Sequence, residues 1–174
     1  VLVESINHAA QMAAESRQHL VLLGLTPEYP ETEYGWILPD RGDTGRVRHV
    51  SRFVEKPVAR LAAELLAAGA LWNSFICASS GQALFGLFGA SQPLVLRRYL
   101  ESFVLQVIDE RERRARFRAL PCVDFGRDIL QAATVPMRVL SVPPCGWTDL
   151  GTPRRVDQWL QRRCVQFPQG TRST

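Results

Sequence analysis

The sequence predicts an α/β domain built on a mixed, mostly parallel open sheet flanked by helices. A helix-periodic opening runs directly into a short stretch that is apolar on both faces, the pattern of a strand buried in a parallel sheet. Helical and strand-like segments then follow one another along the chain, as in open α/β folds. With 46% hydrophobic and 22% charged residues in a chain of 174, one ordinary domain can bury a real core.

In the first helix Val3, Ile6, Ala10, Ala13 and Ala14 recur at helical spacing between Val3 and Arg17. His19 to Thr26 is the buried strand, closed by Pro27. Glu28 to Glu33 reads as loop and Tyr34 to Leu38 as a second strand. The turn formers Pro39 to Gly45 join that strand to a third, Val47 to Glu55, in a hairpin that makes the sheet mixed. Pro57 to Ala68 is a helix with proline in its first turn and Gly69 just past its end. Leu71 to Ala78 is a strand, Ser79 or Ser80 caps a helix reaching about Phe88, and Pro93 opens a helix to about Glu110. Met137 to Val142 is the last strand, Pro143 to Thr152 a loop, and Pro153 to Arg163 a closing helix with Val156, Trp159 and Leu160 on one face. Residues 1–165 form the domain, and 166–174 form a loose tail.

The net charge is +4, and of the 21 basic side chains Lys56 is the lone lysine. So strong an arginine bias is compositional and says little about partners. It does single out Lys56, because this protein uses arginine wherever either cation would serve. The longest apolar run is far shorter than the roughly 20 residues that cross a bilayer as a helix. Cys77, Cys122, Cys145 and Cys164 are widely spaced and form no metal-ligand pattern with His8, His19 and His49. They read as small buried hydrophobes in a reducing compartment, so a cytoplasmic location is expected. The chain opens with Val1 and without a secretory signal, as a sequence that begins in mid-protein would.

Four short segments can carry chemistry. In Phe53-Val54-Glu55-Lys56-Pro57, adjacent side chains on a regular strand would face opposite ways, so a shared site requires a break. Pro57 supplies it, ending the ladder and holding the residue before it extended. Glu55 can then accept hydrogen bonds from sugar hydroxyls while the compact ammonium of Lys56 meets a phosphate. The plain alternative is an exposed ion pair. Asn73, in Leu71-Trp72-Asn73-Ser74, can bond a hydroxyl through donor and acceptor, or simply close a turn. In Tyr34-Gly35-Trp36 the glycine marks a close approach of ligand or backbone, or a bulge. Asp149, in Gly146 to Thr152, lies in a glycine-flanked loop after a strand, where ligand sites gather. It can hold Mg²⁺ only if a second ligand comes from elsewhere, and otherwise it caps the next helix. The run Arg111 to Arg118 contains Phe117 but no nucleic-acid motif, and reads as a solvated helix end and loop.

Taken in order, these segments resemble the sugar-phosphate nucleotidyltransferases, most closely the bacterial mannose-1-phosphate guanylyltransferases. Gly24 to Pro27 is similar to the family's Gly-Ile-x-Pro, Thr32 to Ile37 to Thr-x-Tyr-Gly-x-Ile, and Phe53 to Pro57 to Phe-Val-Glu-Lys-Pro. Trp72 to Ser74 matches Trp-Asn-Ser, and Gly146 to Gly151 is similar to Gly-Trp-Ser-Asp-x-Gly with Thr148 for serine. Val123-Asp124-Phe125 looks like a degraded Ile-Asp-Tyr element. The resemblance implies a Rossmann-like nucleotide-diphospho-sugar transferase fold, incomplete at its N-terminus: the Gly-Gly-x-Gly-x-Arg-Leu loop, the base-reading segment and a second metal-binding Asp are not in these residues.

It implies that Lys56 binds the sugar phosphate, that Glu55 and Asn73 hold sugar hydroxyls, that Tyr34 and Gly35 line the sugar site, and that Asp149 is a Mg²⁺ ligand. The partners implied are a sugar 1-phosphate and a nucleoside triphosphate, with no nucleic acid and no membrane, and a homo-oligomer left open. The reaction implied is transfer of a nucleotidyl group from GTP to mannose 1-phosphate with release of pyrophosphate. The other reading is a non-catalytic sugar-phosphate binder or partner subunit of the same fold. Two departures bear on the sugar: Phe75 stands where many relatives have glycine, and Trp36 is bulkier than the usual residue after Tyr-Gly.

Overall fold

The computed structural model describes residues 1–16, 18–104 and 109–166. The chain divides into two compact units, Val1–Pro143 and Pro144–Thr174. The first holds α1 (Leu2–Glu15), β1 (Leu20–Leu25), β2 (Gly35–Pro39), β3 (Val47–Glu55), α2 (Ala59–Ala67), β4 (Leu71–Ala78), α3 (Gly81–Ser91), α4 (Pro93–Tyr99), α5 (Glu110–Arg118) and β5 (Met137–Val142). Two π-helical segments, Leu100–Val104 and Phe125–Leu130, complete it. The second unit contains α6 (Pro153–Gln166).

The sheet is mixed, as expected, but neither open nor mostly parallel. Its strands close into a ring in the order β1–β4–β2–β3–β5. Among them β1 and β5 pair in parallel, whereas β1–β4, β2–β3, β2–β4 and β3–β5 are antiparallel. The cause lies in β3, which is long enough to serve two partners. Val47 to His49 pair with β5, and Val50 to Glu55 pair with β2. Between them the register slips, with Leu38 opposite Arg52 and Pro39 opposite Val50, leaving Ser51 as an extra residue. A bulge bends its strand and raises the local twist, and here it lets one strand bridge the two ends of the sheet.

All six residues of β1 are buried. Leu20 and Leu22 join Ile37, Phe53, Leu71, Val139 and, from outside the sheet, Leu87, Ile129 and Leu130 in one core cluster. Alternation sends Val21, Leu23 and Leu25 to the other face, and α1 packs on β1, β4 and β5 with its small buried residues Ser5, Ala9 and Ala13. Each buried branched side chain contributes roughly 1.5–3 kcal/mol, so this strand anchors the unit from both sides.

Helix ends follow local chemistry. Ser80 accepts a hydrogen bond from the Ala83 N–H as the cap of α3, and Gly69 follows α2 with a positive φ of 77°. The helix expected from Pro93 to Glu110 is instead α4 passing into the π-helical Leu100–Val104. Asp109 then caps a separate helix by accepting from the Glu112 N–H. The run Arg111 to Arg118, expected as a helix end and loop, is therefore helical throughout. Glu110 pairs with Arg113 and Arg114, and Glu112 with Arg116, along its exposed face. The cysteines are not buried either: Cys77 and Cys122 are exposed and Cys145 is half-buried, while the Cys164 side chain lies outside the described residues. The tail from residue 167 onward also lies outside them.

Candidate sugar-phosphate site

At the end of β3 the chain breaks its pleat, though not as the sequence suggests. Lys56 is not extended ahead of Pro57; it lies in the left-handed region with φ 44°. Its N–H donates to the Tyr34 carbonyl at 3.2 Å, and Pro57 is buried beyond it. A non-glycine residue pays about 1–2 kcal/mol for that conformation, and such strain collects at functional sites. With the alternation broken at residue 56, Glu55 and Lys56 are no longer forced to opposite faces of the sheet.

The Glu55 backbone N–H donates to Gln131 Oε1 at 2.8 Å, tying the strand end to the segment after Phe125–Leu130. Its carboxylate lies between two glycines. A Cβ on Gly35 would stand 2.8 Å from Glu55 Oε2 and 3.3 Å from Asn73 Cβ, and a Cβ on Gly126 would overlap the same oxygen. Both glycines are therefore required for the carboxylate to sit where it does. Burial, with the negative charge of Asp124 adding to it, pushes the Glu55 carboxyl above its ordinary range, and Lys56 and Arg127 pull the other way. Glu55 Oε2 and Asn73 Nδ2 are both buried without a hydrogen-bond partner among the described residues, and Asn73 is only 4% exposed. Each such group costs about 1–3 kcal/mol unsatisfied. One is an acceptor and the other a donor, the two roles that complement a ring hydroxyl.

Asn73 owes its position to a bulge in β4. Leu22 opposes Cys77 while Gly24 opposes Asn73, so Ser74, Phe75 and Ile76 together span the place of Leu23. Ser74 closes the gap: its hydroxyl donates to the Leu23 carbonyl at 2.7 Å and accepts from the Ile76 N–H at 3.2 Å. Phe75 takes the left-handed turn with φ 61°, and its N–H donates to Asn73 Oδ1 at 3.3 Å. Lys56 and Phe75 are the non-glycine residues with positive φ among those described, and both adjoin this pair of open polar groups.

The neighbouring aromatics are structural. Trp72 meets Tyr29, Tyr34 and Trp36 edge-on, with ring centroids 5.0, 5.3 and 6.2 Å apart. Trp36 is wholly buried and its Nε1–H donates to the Glu31 carbonyl at 2.8 Å. Its bulk therefore fills core space rather than the sugar site. Tyr34 is buried in the same cluster and serves Lys56 through its carbonyl. Sequence reasoning placed Ser74 in a motif without a role and missed Gly126 and Gln131. Asp124 was the one local signal for the latter two: it caps the π-helical segment by accepting from the Arg127 N–H at 2.8 Å, which sets Gly126 against Glu55.

In the second unit Asp149 Oδ1 accepts from the Gly151 N–H at 2.9 Å, and Oδ2 pairs with Arg155 Nη1 at 2.6 Å. The Thr152 hydroxyl, not Asp149, faces the Arg155 N–H at the start of α6, at 3.4 Å. Among the described residues no group of three His, Cys, Asp or Glu could hold a metal ion. One carboxylate already engaged by a guanidinium does not by itself fit Mg²⁺, which needs an octahedral oxygen set. No described helix is long and apolar enough to cross a membrane.

Residues 2–158 match the nucleotidyl transferase family model, and the chain belongs to that family. It is 26% identical over 152 residues to a provisionally named mannose-1-phosphate guanylyltransferase of Vibrio cholerae serotype O1, covering 85% of this chain and 32% of that relative. It is 42% identical over 80 residues to a mannose-1-phosphate guanylyltransferase of Escherichia coli, covering 42% of this chain and 16% of the relative. The chain thus spans about a third or less of these relatives. Among solved structures, one from Thermus thermophilus described as a mannose-1-phosphate geranyltransferase superposes with a TM-score of 0.75 at 26% identity, over 90% of this chain and 44% of that one. A mannose-6-phosphate isomerase from Helicobacter pylori shares the fold, with a TM-score of 0.65 at 22% identity over 85% of this chain and 57% of that one.

Proposed function

We propose that this chain is the sugar-phosphate-binding portion of a mannose-1-phosphate guanylyltransferase, which transfers a guanylyl group from GTP to a hexose 1-phosphate and releases pyrophosphate. The observation that carries the reading is the pair of buried, open polar atoms, Glu55 Oε2 and Asn73 Nδ2, beside Gly35 and next to the lone lysine. In this reading Glu55 accepts from ring hydroxyls and Asn73 Nδ2 donates to one. The Lys56 ammonium neutralises the sugar phosphate, whose oxygen attacks the α-phosphorus of GTP in line. Catalysis is then positioning and charge neutralisation more than covalent chemistry.

The family names of the relatives support mannose 1-phosphate as acceptor and GTP as donor. These 174 residues contain no Gly-Gly-x-Gly-x-Arg-Leu loop and one candidate metal carboxylate, so the chain alone binds the acceptor without turning it over. A cytoplasmic location belongs to this reading as well. The non-catalytic binder is the alternative, favoured by the engagement of Asp149 with Arg155.

Titration calorimetry of the chain with mannose 1-phosphate is the test. Binding that weakens at least tenfold in Asn73→Ala is the expected result. Absence of binding to any hexose 1-phosphate overturns the reading, and pyrophosphate release by the chain above an Asp149→Ala control overturns its inactivity alone.

A further inference from the structure

Phe75 is 61% exposed and is held in the left-handed region, a conformation that glycine adopts without strain and that asparagine tolerates better than other side chains. A buried aromatic could repay such strain through packing. This ring leaves most of its surface in water, and its recorded ring contact is a tilted one with Phe125 at 6.5 Å. Phe125 in turn leans on Phe88 at 6.2 Å, so the outward ring is backed by a fixed aromatic pair. The same bulge that turns Phe75 outward holds Asn73, through the Phe75 N–H and Asn73 Oδ1 bond, and Phe125 immediately precedes Gly126, which lies against Glu55. The exposed ring is thus linked to Asn73 through the bulge and to Glu55 through Phe125 and Gly126.

We propose that Phe75 is a specificity-determining residue of the sugar site, its ring packing against the C–H face of the hexose while Glu55 and Asn73 take the hydroxyls. A pyranose presents that combination, an apolar face rimmed by hydroxyls, and inorganic phosphate does not. The proposal rests on the sugar-phosphate reading above and adds the ring as the element that discriminates between hexoses, since axial and equatorial hydroxyls change how much C–H face a flat ring can cover.

The test uses the 174-residue chain, with mannose 1-phosphate, glucose 1-phosphate and inorganic phosphate as titrants, and three variants. Phe75→Gly and Phe75→Asn keep access to the left-handed backbone and remove the ring, whereas Phe75→Tyr keeps it. The expected result is about tenfold weaker binding of the preferred hexose phosphate in Phe75→Gly and Phe75→Asn. The preference between the two hexose phosphates narrows in both, inorganic phosphate binds as before, and Phe75→Tyr behaves as the parent chain. Phe75→Gly should unfold at the same or a higher temperature, which separates loss of the ring from loss of the fold. Hexose phosphate binding that is unchanged in Phe75→Asn, or lost equally in Phe75→Tyr, overturns the proposal while leaving the sugar-phosphate reading intact. Failure of the parent chain to bind either hexose phosphate overturns both.

Discussion

Gly126 lies so close to the Glu55 carboxylate that a methyl group at 126 would overlap Oε2. The two residues are far apart in sequence, yet one exists in its present form to leave room for the other. Gly126→Ala must therefore move a carboxylate rather than open space. The expected outcome is at least tenfold weaker mannose 1-phosphate binding, read by calorimetry, with the thermal midpoint lowered only a few degrees.

Ser74 stitches the β4 bulge to β1 with one hydroxyl, donating to Leu23 and accepting from Ile76. Ser74→Ala leaves both groups short of a partner and should cost about 1–3 kcal/mol in urea unfolding. Because the bulge positions Asn73, binding should weaken as well, whereas Ser74→Thr should retain most of both.

The Glu55 carboxyl is raised chiefly by burial and next by Asp124. A raised folded value means that the native state holds a proton the unfolded chain releases, so this group favours folding at low pH and loses that contribution as pH rises through the raised value. Binding runs the other way, because hydroxyls donate to the carboxylate form. Hexose phosphate affinity should fall as pH drops through the raised value. The phosphate titrates too, near pH 6, so the measurement is the difference between the parent chain and Glu55→Gln. A variant whose affinity shows the parent's full pH dependence would clear Glu55 of the role.

Lys56 is the lone lysine beside twenty arginines and sits in a left-handed turn. Lys56→Arg keeps the charge and the strain but replaces a compact ammonium with a wide fork. Affinity for mannose 1-phosphate should fall several-fold, with the unfolding midpoint within a degree or two of the parent. Unchanged affinity would reduce the lone lysine to an accident of composition.

Much of this protein was legible from its residues alone. β3 and β4 fall where alternation and apolar runs put them, as does β5, and Ser80 caps α3 because a serine hydroxyl is the natural acceptor for a free N–H at a helix start. Gly35, Glu55 and Asn73, which the family motifs carry, stand side by side in the structure. Three things were decided only in three dimensions. The ring closes because β3 divides its length between β2 and β5, a pairing choice set by a one-residue bulge that no periodicity reveals. Lys56 and Phe75 accept positive φ against their own propensity, since the surrounding hydrogen bonds outweigh about 1–2 kcal/mol of local strain each. Gly126 and Gln131 reach Glu55 across more than seventy residues of chain. Local pattern measures how a segment prefers to fold, and contacts made at such separation are chosen by the packing of the whole.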